Sequence, residues 1–398
     1  QHARGALVIA QVAFAVLLVL GAGLLIRTVY NLTKVDAGFD RSRLVTFSLT
    51  MPMANSDPDT RAQAYQRILQ RLRSIPGVLG AAAMSGLPPN RTPDAIATPI
   101  ENYVSEGGRP FEIIDYYQFV MGDYFETMGI PIVAGHGFQP PGHASPGKSA
   151  IVNETLAKRI WRGRNPIGQR IRPPGASFGA SSDLWHTVVG VARDVRQHGV
   201  EQPPGAELYL SLDQHGVSPP SMNVAMRTTL PPSALSSAIE REVAEVDASV
   251  PVVRLRDMDS VFAESIRRPR LLARLLGAFA ALALALASIG TYGVLSYMVT
   301  ERRREIGIRF ALGAARSQVL VGILKHGLRV TAIGLAVGLA GALMLNQLIA
   351  SLLYGVRPAD PATIASVVAA ITAAALLASW LPAWRASRLD PNIVLRND

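Results

Sequence analysis

Four stretches of the chain carry no charged residue: Gly5 to Ile26, Leu275 to Val299, Val330 to Leu353 and Ala362 to Trp384. Each exceeds the roughly 20 residues that a helix rising about 1.5 Å per residue needs to cross a bilayer. A charge at mid-bilayer costs on the order of 3 kcal/mol, so the pattern predicts four membrane-spanning helices. The first is longer than the apolar core of a secretory signal, about 7 to 15 residues, and it ends in Leu24-Leu25-Ile26 with no A-x-A site. It therefore reads as a retained anchor.

Between the first and second stretches the period changes. Val45, Phe47, Leu49 and Met51 alternate with Thr46, Ser48 and Thr50, as in a strand with one buried face. A helix follows, with Asp57 as cap, Pro58 in the first turn, Tyr65, Ile68, Leu69 and Leu72 on one face, and Pro76-Gly77 at its end. Val78 to Met84 returns as a strand, completing β-α-β. A second such unit comprises Met222, Val224 and Met226, a helix from about Ser233 to Val246, and Val250 to Leu255. Between them lie short strands at Ala150 to Asn153, Thr187 to Ala192 and Glu207 to Leu212, a helix near Glu154 to Trp161, and Pro/Gly-rich breaks. The expected architecture is a membrane protein with four transmembrane α-helices, one plus three, and a large α+β extracytoplasmic domain of two lobes inserted between helices 1 and 2. Its parts are residues 1–30 as the first helix, 31–268 as the outer domain with roughly 115–215 as an inserted lobe, and 269–398 as the three-helix part. The two β-α-β ends are expected to lie together near the membrane.

The net charge of +10 suggests a nucleic-acid face until it is divided along the chain. Residues 27–270 hold 26 Lys and Arg against 24 Asp and Glu, and the remainder holds 13 against 5. The surplus flanks the apolar helices, which is the signature of membrane topology rather than of phosphate binding. Arg302, Arg303, Arg304, Arg309, Arg316, Lys325 and Arg329 stand against Glu301 and Glu305 in the loop between spans two and three, which places that loop in the cytoplasm. Both termini then lie inside, the outer domain lies outside, and nucleic acid is not an expected partner.

Candidate chemistry is sparse. The chain has no cysteine, which removes disulfides, thiolate metal sites and Cys nucleophiles. His136, His143, His186, His198 and His215 show no metal-ligand spacing, and Ser85 is not in a nucleophile elbow. Gly142 to Ser149 matches the phosphate-loop pattern, but Pro140-Pro141 precedes it and a strand, not a helix, should follow, so it is read as a chance match. The spans contain no ionisable residue of the kind ion-coupled carriers use. They do carry small residues that suit close helix packing: Gly334, Gly338 and Gly341 on the third, and Ser288, Gly290 and Gly293 on the second.

The most informative segment is Glu301 to Val319. It predicts a short cytoplasmic helix in which Glu305 precedes Arg309 by four residues, Ile306 and Phe310 share a face, Gly313 ends the turn and Ser317 caps the next helix. An amphipathic helix on anionic lipid and a docking knob for a cytoplasmic partner both fit this pattern.

Glu301-Arg302-Arg303-Arg304-Glu305-Ile306-Gly307-Ile308-Arg309 followed by Ala311-Leu312-Gly313-Ala314 resembles the loop between spans two and three of MacB/FtsX-type ABC transporter permeases. Pro382-Ala383-Trp384-Arg385-Ala386 with Asp390-Pro391 resembles that family's tail, and Gly122 to Ile130, Ile151 to Glu154 and Asn165 to Gly168 extend the likeness into the outer domain. The opening Arg4 to Leu25 resembles the start of the second half of a duplicated bacterial permease of acidobacterial type, and with Gln1 in first place an upstream part is expected. The resemblance implies a multi-pass protein of the bacterial inner membrane with no cofactor of its own, and a separate cytoplasmic ATPase that binds ATP and Mg. It further implies a second permease half or copy, an envelope adaptor or outer-membrane duct, and helix motion transmitted to the outer domain. Glu301, Arg302, Arg303, Arg304, Glu305, Ile306, Gly307, Arg309 and Gly313 are the expected coupling residues. The contrasting expectation is a membrane-anchored binding or sensor protein without an ATPase.

Overall fold

The computed structural model describes residues 2–51, 57–105, 107–139, 148–174, 184–215, 218–311, 315–345, 353–357 and 359–387. Two compact units form: residues 1–34 with 267–398, and residues 35–266. The first begins with helix α1 (His2–Thr33).

The unit of residues 35–266 is built on one ten-stranded sheet. In chain order it contains β1 (Leu44–Thr50), α2 (Pro58–Ser74), β2 (Val78–Met84), β3 (Ile96–Pro99), β4 (Phe111–Ile114), β5 (Tyr116–Gly122), α3 (Tyr124–Met128) and β6 (Ile132–Gly135). There follow β7 (Lys148–Asn153), α4 (Glu154–Trp161), β8 (Arg170–Ile171), β9 (His186–Ala192), β10 (Glu207–Ser211), α5 (Leu212–His215), β11 (Ser221–Thr228), α6 (Pro232–Ala244), β12 (Val252–Asp257) and α7 (Met258–Ser265). The strand order is β12-β1-β11-β2-β5-β10-β7-β9-β6, with β8 on β9 and with β3 and β4 as a separate pair.

The two expected β-α-β units are present and interleaved. β11 inserts antiparallel between β1 and β2, and β1 inserts between β11 and β12, which is the split β-α-β arrangement. Asp57 caps α2 through Thr60 N at 3.3 Å, and Pro58 occupies the first helical position. Tyr65, Ile68, Leu69 and Leu72 of α2 and Leu235, Ile239 and Val243 of α6 cover Val45, Phe47 and Leu49, all buried in one core. The inserted strands continue this sheet through the pairing of β2 with β5, Ala82↔Gly122 to Met84↔Val120, so the two lobes share a backbone ladder. β5 has no alternation to betray it because it is covered on both faces, Tyr116 to Met121 all being buried.

In the other unit, α8 (Arg267–Glu301), α9 (Arg303–Ala311), α10 (Arg316–Met344) and α11 (Pro361–Ser387) join α1. α1, α8, α10 and α11 are long and apolar enough to cross a membrane. The third of these differs from the sequence expectation. The helix starts at Arg316 and its described part ends at Met344, with a turn at Leu345, so Lys325, His326 and Arg329 ride on its first half. Ser317 is not the cap as expected but lies inside the first turn; the helix begins after Ala315, whose N–H is capped by Gln318 Oε1 at 3.2 Å. Replacing Gln318 with Ala is expected to lower the thermal stability of the purified chain by about 0.5–1 kcal/mol, with Ser317→Ala neutral.

α1 is the central helix of this bundle. Val8, Val12, Ala15, Val16, Leu20 and Leu24 are buried against Ala283 and Ala287 of α8, Ala342 of α10, and Val367 and Ile371 of α11. Buried hydroxyls are satisfied within their own helices: Thr291, Thr331 and Ser379 each donate to the carbonyl four residues earlier, at 2.8, 3.0 and 2.6 Å. The C-terminal end of α1 is fastened to the segment before α11. Asn31 Nδ2 donates to Gly355 O at 3.1 Å, and Arg27 pairs with Asp360, which also caps α11 through Thr363 N at 2.8 Å.

Candidate coupling site

α8 runs unbroken to Glu301, and only Arg302 separates it from α9. The joint is stiff, because Arg302 N donates to Met298 O and Ile306 N to Arg302 O, both at 3.0 Å. Glu301 therefore closes the membrane helix, while Arg303, Arg304, Glu305, Ile306, Gly307 and Arg309 belong to α9.

One face of α9 is anchored and the other is open. Ile306 is 8% exposed and joins Leu295 of α8, Val319 and Ile323 of α10, and Ala383 and Ala386 of α11 in a single cluster. Gly307 is buried beside it. Arg302, Arg303, Arg304, Glu305 and Arg309 are exposed, and Arg309 donates to Glu305 Oε1 at 2.6 Å. The pair was legible from its spacing. Such an exposed pair contributes only about 0.3–0.5 kcal/mol, so it shapes a surface more than it holds the fold. Gly313 and the side chain of Phe310 lie outside the described residues.

Beside α9 opens a groove of about 320 Å³, lined by Arg302, Glu305 and Arg309 together with Lys325, His326 and Arg329. From the sequence Lys325 and Arg329 count only as loop charge, and His326 carries no reading there. The signal that could have joined them is helical spacing, since Gly322, Lys325, His326 and Arg329 recur at three to four residues along the start of α10. With one carboxylate among four permanent cations, the groove suits an acidic protein surface.

The glycines expected to pack helices do so unequally. A β-carbon at Gly334 would stand 2.7 Å from Val12 Cβ, and one at Gly338 would stand 2.6 Å from Val16 Cβ and 2.8 Å from Ala13 O. Both therefore admit α1 at close range. Gly341 meets only the Leu17 methyls, at 3.6 Å or more, and Gly293 meets nothing. Gln11, an amide in the apolar run of α1, was passed over. Its buried Oε1 has no partner among the described residues, and a β-carbon at Gly290 would collide with it.

The remaining sequence candidates are dispersed. Lys148 and Ser149 begin β7, and Gly142 to Gly147 lie outside the described residues. His186 is buried on β9, and burial lowers its pKa to about 4. His143 and the side chain of His215 lie outside the described residues; among those described, no three His, Asp or Glu groups come together. Ser85 Oγ donates to Gln118 Oε1 at 3.2 Å.

Two family models account for most of the chain. Residues 5–246 match the MacB-like periplasmic core domain and residues 277–391 match the FtsX-like permease C-terminal model. The chain belongs to the MacB/FtsX-type family of ABC permeases. It is a membrane protein with a periplasmic-type domain between its first and second apolar helices. Similar curated proteins include the macrolide export ATP-binding/permease protein MacB of Burkholderia cenocepacia, 24% identical over 352 residues, covering 85% of this chain and 48% of that protein. The MacB of an Azoarcus species is 28% identical over 286 residues, covering 67% and 40%. The pyoverdine export ATP-binding/permease protein PvdT of Pseudomonas putida is 25% identical over 280 residues, covering 69% and 41%. The chain thus spans about half the length of the curated relatives it matches. Among solved structures, the periplasmic region of MacB from Actinobacillus actinomycetemcomitans aligns with a TM-score of 0.38 and 11% identity, over 60% of this chain and 98% of that one.

Proposed function

We propose that this chain is the permease subunit, or one permease half, of an ABC-type transporter of the bacterial inner membrane. In this reading it is itself non-catalytic. A separate cytoplasmic ATPase, binding ATP and Mg, docks on α9 and the basic groove, and its cycle moves the helices and through them the periplasmic-type domain, for export or envelope-related work. Both chain ends then face the cytoplasm, and a second permease half or copy completes the machine, with an envelope adaptor or outer-membrane duct as a further partner.

The observation that carries this reading is the contrast between the two faces of α9. Its exposed side offers Glu305 and Arg309 to a partner, and its buried side sets Ile306 among residues of α8, α10 and α11 at once. A displacement of α9 therefore reaches three helices without any of them needing an ionisable residue in its core. Rigid elements linked by packing transmit such shifts as small translations.

The test replaces Glu305 and Arg309 together with Ala. Because the pair adds so little stability, the chain is expected to reach the membrane at wild-type levels, while capture of an ABC ATPase from those membranes in the presence of ATP falls roughly tenfold. Equal recovery of the ATPase with the double variant would rule out α9 as its docking element.

A further inference from the structure

The periplasmic-type unit holds a polar pocket of about 290 Å³ on the face of the sheet turned away from α2 and α6. Its floor is Ser48 of β1 and Asn223 of β11, cross-strand neighbours joined by a hydrogen bond of 2.8 Å. Ser85 and Asn90 form one wall, and Arg254 and Arg256 of β12 form the other, with Arg91 behind. Among the described residues no acidic side chain lines it.

The three arginines are not equivalent. Arg91 is spent on its surroundings, donating to Gln118 Oε1 and Asp94 Oδ2, each at 2.6 Å, and to Tyr117 O. Arg256 is paired with Glu264 at 2.5 Å. Arg254 makes no hydrogen bond or ion pair among the described residues, so its charge is the one left uncompensated at the pocket.

Arg254 is also where the backbone departs from a regular strand. The ladder between β1 and β12 pairs Thr46 with Arg256 but Ser48 with Val253, so Arg254 and Leu255 together oppose Phe47 in a β-bulge. Leu255 packs on the core with Phe47, while Arg254 is exposed with φ at +60°. Glycine takes that conformation without cost and a long side chain does not. Fold alone would favour glycine here, whereas a guanidinium aimed into a pocket that lacks a counter-charge gives the strained residue a reason to be arginine. The amides around it are loosely engaged, Asn90 Nδ2 with Val261 O and Asn223 Nδ2 with Ser85 O, both at 3.4 Å, and can turn to an incoming acceptor.

We propose that this pocket binds a single oxyanion group, the phosphate or carboxylate of a small polar molecule or of a lipid headgroup, with Arg254 as the residue that grips it. The guanidinium fork meets two oxygens, and the Asn90 and Asn223 amides complete the shell. The volume admits one such group with a short polar attachment. The inference stands apart from ATPase docking, which concerns the other unit.

The test uses the full chain in nanodiscs, titrated with glycerol phosphate by calorimetry. Wild type is expected to bind saturably, Arg254→Gln and Arg254→Gly to lose roughly tenfold or more in affinity, and Arg67→Gln, on α2 away from the pocket, to bind as wild type does. Arg254→Gly separates function from structure, since it relieves the left-handed backbone and must keep or raise the melting temperature while binding is lost. Discs of phosphatidylglycerol in place of phosphatidylcholine identify the source. Weaker glycerol phosphate binding in the anionic discs, abolished by Arg254→Gln, marks the lipid headgroup; equal binding in both marks a free solute. Absence of Arg254-dependent binding in either disc overturns the proposal.

Discussion

Replacing Gly338 with leucine is expected to destabilise the helical bundle by about 2–3 kcal/mol, the cost of inserting carbons where no space exists. The reason is local. A single β-carbon there would already lie 2.6 Å from Val16 Cβ and 2.8 Å from the carbonyl of Ala13, and backbone cannot swing aside as a side-chain tip can. α10 would have to leave α1, and α1 holds the bundle together through Val12, Val16 and Leu20. The same replacement at Gly341 meets only flexible Leu17 methyls at 3.6 and 3.9 Å and should cost little. Melting temperatures of the two variants in detergent decide the matter: equal values would mean that α1 and α10 do not pack at the separation described.

The second large effect is on pH dependence. Glu207 on β10 is completely buried, and burial pushes its carboxyl from the ordinary 4.5 up to about 7. Arg91 at 3.9 Å and hydrogen bonds from Tyr209 OH at 2.8 Å and Gln197 Nε2 at 2.7 Å pull the other way without overcoming desolvation, and Asp194 adds to the rise. A folded value above the unfolded one means that the native state holds the proton more tightly. The stabilisation is thus complete below pH 4.5 and is lost as pH rises through about 7, amounting to about 3 kcal/mol over that window. Gln197 Oε1, buried with no partner among the described residues, would accept the carboxylic proton after an amide flip. Urea melts of wild type and Glu207→Gln at pH 5 and pH 8 measure the difference. Wild type should lose stability toward pH 8 and the variant should not, and parallel slopes would show that Glu207 is ionised throughout.

Much of the fold was legible because its elements are strongly patterned. The uncharged runs marked the membrane helices, and alternation in Val45 to Met51 and in Met222 to Met226 marked strands with one face on a core. α10 starts well before the charge-free run that opens at Val330, because helix length is set by backbone hydrogen bonds that Lys325 and Arg329 do not interrupt. β5 escaped because a strand covered on both faces shows no period. At the coupling site the Glu305–Arg309 pair was readable from its four-residue spacing, but the groove was not, since Lys325, His326 and Arg329 join it from another helix.

By itself the sequence determined which segments are long and apolar enough to cross a membrane, the family, and the local helices and strands, because each depends on hydropathy, charge or spacing along a few turns of chain. Only the tertiary structure decided that α1 is the centre of its bundle, that the two β-α-β units interleave in one sheet, that Ile306 shares one buried cluster with residues of three helices, and that Arg254 and Glu207 are special. Those properties arise from contacts between residues far apart in the chain, where burial and the absence of a partner, rather than residue type, set what a side chain does.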